Sequence, residues 1–213
     1  MKKLLMAVLA FCWAGVSMSA FAGGMDALES FIRNAKTGHA EFTQTVTSPA
    51  REGQAARTRN SSGTFDFQRP NHFRFIYRKP FEQTLVADGE TLWLYDQDLN
   101  QVTARRQAKV LGSTPAALIA ASPDIETLRK DFELQELPAQ DGMQWVQATP
   151  RTRDGQLRSM KAGFRGDELA VLEILDGFGQ RSVMRFSGMQ LNGGVSADSF
   201  RFTPPTGVDV VKQ

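Results

Sequence analysis

Between residues 63 and 103, apolar side chains recur at every second position, punctuated by turn residues. Phe65 and Phe67 share one strand face, and Phe73, Phe75 and Tyr77 share another. Side chains two apart lie on the same side of a strand, so this period predicts β-structure with an aromatic face. Residues 85–87 and 91–95 are two further strands, joined through Asp88-Gly89, a pair that tolerates positive φ and marks a tight hairpin. The second of these strands is apolar on both faces, with Leu92 and Leu94 on one side and Trp93 and Tyr95 on the other. Antiparallel sheets ordinarily keep one face wet. This strand is therefore either covered twice or lines a cavity, and a helix packed over the sheet is the simpler cover.

Residues 115–121 supply a candidate cover. Thr114-Pro115 is a good helix start, a cap followed by proline at the first position. Ala116 to Ala121 follow with no polar side, and Pro123 ends the run. A short helix without a polar face belongs in an interior. An earlier helix is predicted over residues 25–36, where Leu28, Phe31, Ile32 and Ala35 fall on one face and Gly38 provides a stop. Residues 124–130 form another short helical candidate. Residues 41–47 alternate, with Phe42, Gln44 and Val46 on one side, and the polar stretch 53–62 reads as a mobile hairpin tip. The remainder is a meander: 132–137 with 143–149, 157–164 with 169–175, then 181–191. The total is about eleven strands, and a sheet of that size curls until it closes or half-closes.

The N-terminus carries Lys2 and Lys3, an apolar run from Leu4 to Val16, and Ala20-Phe21-Ala22. These are the parts of a secretory signal peptide, with cleavage predicted after Ala22. The apolar run is shorter than the ~20 residues of a membrane span. Cys12, the one cysteine, is flanked by Phe11 and Trp13, residues too large for a lipoprotein cleavage site. Residues 23–213 then form one cysteine-free domain that can make no disulfide, despite the export route. Losing the two lysines cancels the formal charge of +2. A nucleic-acid partner needs a basic field, and the balance offers none. Arg57/Arg59 and Arg105/Arg106 read as solvated strand ends.

Nothing in the chain spells catalysis. His39 and His72 lack metal spacing, no cofactor or phosphate loop is present, and no G-x-S-x-G elbow occurs. Asp96 and Asp98 read as turn residues. The catalytic, cofactor and metal assignments are therefore empty, and a greasy β surface without chemistry points to binding.

A set of short motifs runs in order along the chain: Phe42-Thr43-Gln44, Gly63, Arg69-Pro70-Asn71 with Phe73, Asp88-Gly89, Leu92-Trp93, Tyr95, Gln101-Val102-Thr103, Thr114-Pro115 with Leu118-Ile119-Ala120, and Phe200, Phe202-Thr203-Pro204-Pro205, Gly207-Val208. With these motifs the chain resembles the periplasmic outer-membrane lipoprotein carriers of the Lol pathway. That resemblance implies an incomplete antiparallel β-barrel with a helical lid over a hydrophobic cavity. It implies a chaperone that takes acylated lipoproteins from an inner-membrane ABC transporter and passes them to an outer-membrane acceptor. The implied cavity residues are Phe65, Phe67, Phe73, Phe75, Trp93, Leu118 and Ile119, with Phe73 at the mouth. The implied lid lock is Arg69, bonded to main chain near Ala117, Leu118, Ile119 and Ala120. Ala116-Ala117 departs from the bulkier lid start expected of the family. Three other readings stay open at this point: the acceptor of the same pathway, a lipid or glycolipid carrier or envelope-stress sensor of the same fold, and a secreted hydrolase.

Overall fold

The computed structural model describes residues 23–50, 55–110, 122–152 and 157–213. The expected lid segment 115–121 and the signal segment lie outside them.

Helix α1 (Gly24–Asn34) forms where the period predicts it and buries Ala27, Leu28, Phe31 and Ile32. The Asp26 carboxylate accepts the Gly23 N–H at 3.2 Å, satisfying one orphan donor of the first turn. The helix ends at Ala35, which is already extended, with its N–H on the Phe31 carbonyl. Gly38 does not stop it. That glycine sits inside β1 (Thr37–Ser48), where any Cβ would collide with the Phe67 ring. Its smallness serves packing rather than helix termination.

β1 pairs on one side with β2 (Arg57–Gln68), and the meander continues through β3 (His72–Lys79), β4 (Gln83–Asp88), β5 (Thr91–Asp96) and β6 (Gln101–Arg106). The expected polar tip over 53–62 is thus strand from Arg57 onward. After β6 come helix α2 (Gln107–Val110) and, past the undescribed segment, helix α3 (Ile125–Asp131), capped by the Asp124 carboxylate on the Thr127 N–H at 2.7 Å. The second meander is β7 (Phe132–Gln140), β8 (Met143–Pro150), β9 (Leu157–Arg165), β10 (Glu168–Asp176) and β11 (Arg181–Leu191). β11 pairs with β1 and joins the two meanders into one sheet. A last strand, β12 (Asp209–Lys212), lies parallel to β6. Among the described residues the sheet has twelve strands, ordered β12-β6-β5-β4-β3-β2-β1-β11-β10-β9-β8-β7, and its two outer strands do not meet.

Turn chemistry follows the rule, with one shift. Asp141 (φ 54°) and Gly142 (φ 70°) form the two-residue turn between β7 and β8, both in the left-handed region. In the β4–β5 hairpin the central pair is Gly89-Glu90 rather than Asp88-Gly89, and Gly89 alone takes positive φ (98°). Asp88 instead folds its carboxylate over the turn, accepting the N–H groups of Glu90 (2.9 Å) and Thr91 (2.7 Å) and the Trp93 indole (2.7 Å). Asp96 likewise caps its turn by accepting the Leu99 N–H at 3.1 Å.

The sheet curls so that one face of both meanders encloses a single core. Phe42, Phe65, Phe67, Phe73 and Phe75 meet Met160, Phe164, Leu172 and Met184 there, with α1 laid across the gap. Phe31 bridges the halves, its ring 5.9 Å from Phe67 and 5.8 Å from Phe164. The double-faced strand β5 is explained by the C-terminus. Leu92 packs into the core. On the outer face, the chain leaving β11 crosses back over the sheet. A 3-10 turn (Ala197–Phe200) buries Phe200 beside His72, and Phe202 packs 5.6 Å from Trp93 and 6.0 Å from Tyr95. The cover seen on that face is therefore a tail, not a helix.

Candidate functional site: an aromatic interior and its arginine latch

The alternating aromatics of β2 and β3 come into register as facing pairs, Phe65 with Phe75 and Phe67 with Phe73. Phe65 and Phe75 stack at 4.4 Å, and Phe42 sets its edge against Tyr77 at 5.1 Å. Phe65, Phe67 and Phe73 are fully buried, and each such side chain contributes about 1.5–3 kcal/mol. Burial also pushes the Tyr77 phenol up to about 12. The void among Leu28, Phe31, Ile32, Leu128 and Phe164 measures about 20 Å³, room for about one water molecule. An acyl chain enters at this point only if something now packed there moves.

Arg69 sits at the end of β2, below α1. Its Nε donates to the Ala35 carbonyl at 2.9 Å, and its Nη1 to the Ser122 carbonyl at 3.0 Å. The guanidinium lies 5.4 Å from the Phe31 ring centre and 5.5 Å from that of Phe67, within cation–π range of both rings. Nη2 is buried and has no partner among the described residues. Among the described residues no carboxylate pairs with the group, and burial lowers its pKa from 12.5 to about 10. The arginine thus ties the end of α1 to Ser122 through two neutral carbonyls.

Of the residues singled out in the sequence, Phe65, Phe67, Phe73 and Phe75 are together in the interior. Trp93 is not among them: it lies on the outer face under Phe202, because it opposes Val86 and Ala104 rather than the core positions. Leu118, Ile119 and the carbonyls of Ala117 to Ala120 fall outside the described residues. Sequence reasoning missed Phe31 and Phe164 as interior partners, since α1 and β9 are distant in sequence from β2. It also missed Gln107. That residue is 1% exposed; it accepts the Gly89 N–H at 3.0 Å and donates to the Asn71 carbonyl at 2.6 Å, locking the β4–β5 turn to the loop that carries Arg69. Only a polar residue at the foot of a helix signalled it.

An open half-barrel whose inner face is lined mainly by apolar side chains, with no metal-binding cluster among its described residues, has the form of a carrier of apolar ligands. Comparison with known proteins makes the assignment specific: residues 33–203 match the family described as outer membrane lipoprotein carrier protein LolA, and the chain belongs to that family. A relative from Albidiferax ferrireducens, called an outer-membrane lipoprotein carrier protein, is 58% identical over 206 residues, covering 95% of this chain and 97% of its own. One of the same name from Methylibium petroleiphilum is 51% identical over 195 residues, covering 92% of each. The crystal structure of a LolA-superfamily protein from Nitrosomonas europaea shares the fold, with a TM-score of 0.50 at 12% identity, covering 85% of this chain and 99% of that one.

Proposed function

We propose that this chain is a periplasmic chaperone that binds the acyl chains of lipoproteins leaving the inner membrane and delivers them to an outer-membrane acceptor. The observation that carries the reading is the aromatic interior latched by an arginine that, among the described residues, is bonded to neutral carbonyls. Family membership supplies the cargo. In this reading a signal peptide is cut after Ala22, residues 23–213 act as one domain and as a monomer, and the donor is a lipoprotein-releasing ABC transporter. The residues proposed to meet lipid are Phe65, Phe67, Phe73 and Phe75, joined by Leu118 and Ile119 of the lid, and Arg69 is the lid lock.

Energetics favour a latch of this kind. A lipoprotein's acyl chains hold several tens of methylenes at about 0.8 kcal/mol each. Membrane affinity then exceeds the roughly 20 kcal/mol beyond which proteins do not bind. A carrier can match a bilayer only in part, and hand-over without a fuel must run downhill. Closing the interior remakes the Arg69 bonds and the ring contacts, and that gain offsets part of the lipid affinity. Loading reverses it, so the cargo is held loosely enough to pass on.

The test is release. Spheroplasts expressing a labelled lipoprotein are incubated with purified protein comprising residues 23–213, and the supernatant is examined for a one-to-one complex. Release that requires the acyl chains supports the carrier. Binding of free lipid without lipoprotein release would move the protein to a lipid carrier or sensor on this fold.

A further inference from the structure

Gln107 is the most deeply buried polar side chain among the described residues. Glutamine is mostly an exposed residue, and here both halves of its amide are used. The residue opens α2, anchored by its own N–H on the Glu90 carbonyl at 2.8 Å. From there Oε1 accepts the Gly89 N–H at 3.0 Å and Nε2 donates to the Asn71 carbonyl at 2.6 Å. The two partners differ in what else holds them. The Gly89 turn is already braced by the Asp88 carboxylate, which accepts the N–H groups of Glu90 and Thr91. Asn71 lies in the loop between β2 and β3, at a φ of 68° that side chains other than glycine seldom take. Besides Gln107, that loop is tied by the Arg69 N–H on the Lys36 carbonyl at 2.8 Å and by His72 Nδ1 on the Pro70 carbonyl at 2.7 Å.

We infer that Gln107 is a positioning residue for the arginine latch: by fixing the Asn71 carbonyl to the braced β4–β5 turn, it sets where the Arg69 guanidinium can reach. Pro70 stands between Asn71 and Arg69 with its φ locked by the ring, so a held Asn71 leaves Arg69 little play. The guanidinium must then meet two carbonyls at once, those of Ala35 and Ser122, at 2.9 and 3.0 Å. Hydrogen bonds weaken steeply when misaligned, so a small drift of the loop loosens both. An amide suits the task because it accepts at one end and donates at the other. An aliphatic side chain in its place would leave the Gly89 N–H and the Asn71 carbonyl unpaired, and the loop free to shift. The consequence for hand-over rests on the carrier reading. With Arg69 loose, closing the interior remakes weaker bonds, so cargo loads as before and leaves more slowly.

Solvent exchange of the Arg69 Nε–H proton reads the latch without any cargo. It is followed by NMR on the protein of residues 23–213 and assigned by its absence from Arg69→Leu. Gln107→Met, of similar length but with no N–H to donate, exchanges roughly tenfold faster than the unaltered chain. Gln107→Asn, one methylene shorter, cannot span both partners and behaves alike, and it decides the matter if the methionine variant does not fold. Val171→Ala is the control. It weakens the separate cluster of Met143, Trp145 and Val171 in the second meander and leaves the exchange unchanged. Unchanged exchange in the Gln107 variants overturns the proposal. Equal acceleration in Val171→Ala overturns it too, since Gln107 would then act through bulk stability alone. In reconstituted hand-over, Gln107→Met slows release roughly fivefold at unchanged loading and slows it no further in an Arg69→Leu background. Effects that multiply would mean that Gln107 acts elsewhere, and would overturn its role as a positioner of Arg69. Normal transfer by Arg69→Leu would instead overturn the part of the latch in the carrier reading, whereas the exchange result, obtained without lipoprotein, decides the positioning by itself.

Discussion

Asp66 and Arg69 lie three residues apart and both bury charge, yet they are treated in opposite ways. Asp66 is 5% exposed on the outer face. It accepts His39 Nδ1 at 2.6 Å and Arg74 Nε and Nη2 at 3.2 and 2.9 Å, all three side chains side by side across β1, β2 and β3. Arg69 faces the interior side and has carbonyls and aromatic rings but no counter-charge among the described residues. A buried charge met by opposite charge is costly to uncover and stays put. A buried charge met by neutral dipoles gains much less from its partners, and water replaces them readily. The first arrangement suits a permanent wall and the second a closure that must open.

The largest expected effect in this comparison comes from the wall's aromatic lining. Phe65→Ala removes a fully buried ring in contact with Phe67, Phe75 and Phe186, and should cost about 3–5 kcal/mol in urea unfolding. Asp66→Ala strands Arg74 and should cost about 2 kcal/mol. A cost near zero would show that the outer cluster is not a fixed brace. Phe202→Ala uncovers Trp93 and Tyr95 and should cost about 1–2 kcal/mol with a red shift in tryptophan emission. Arg69→Leu should change stability by less than about 1 kcal/mol, because two lost hydrogen bonds are offset by relief of a buried charge. The same variant should still load lipoprotein and release it poorly; normal transfer in a reconstituted assay would break the contrast drawn here.

A comparably small effect is acid sensitivity at the β4–β5 turn. Burial works to raise the Asp88 pKa, but the N–H groups of Thr91 and Glu90, the Trp93 indole and the His72 charge outweigh it and hold the carboxyl below its ordinary 3.8. A depressed carboxyl stabilises the fold above that ordinary value, and the contribution is lost as pH falls through the folded-state pKa. Asp88→Asn should cost about 1 kcal/mol at pH 7 and flatten the fall in urea midpoint below pH 4. An unchanged acid profile would remove Asp88 from this role.

Much of the wall was legible in advance. Period-two spacing puts Phe65 with Phe67 and Phe73 with Phe75 on shared strand faces, and Asp88-Gly89 marks the β4–β5 hairpin to within one residue. The errors share a cause. The resemblance implies Trp93 in the cavity, and a strand apolar on both sides does not say which side is inside. Gly38 was given to the helix end because its real neighbour, the Phe67 ring, is 29 positions away in the chain.

Local pattern alone therefore determined the strands, the α1 face, the turns and the inward ring of phenylalanines, since each depends on neighbours within a few residues. Tertiary structure decided which face of β5 is core, that the tail from Phe200 to Lys212 crosses the outer face to pair in parallel with β6, and that Arg69 meets Ala35 and Ser122. Those outcomes rest on contacts between segments far apart in the chain, set by the curl of the sheet as a whole, and no local period encodes them.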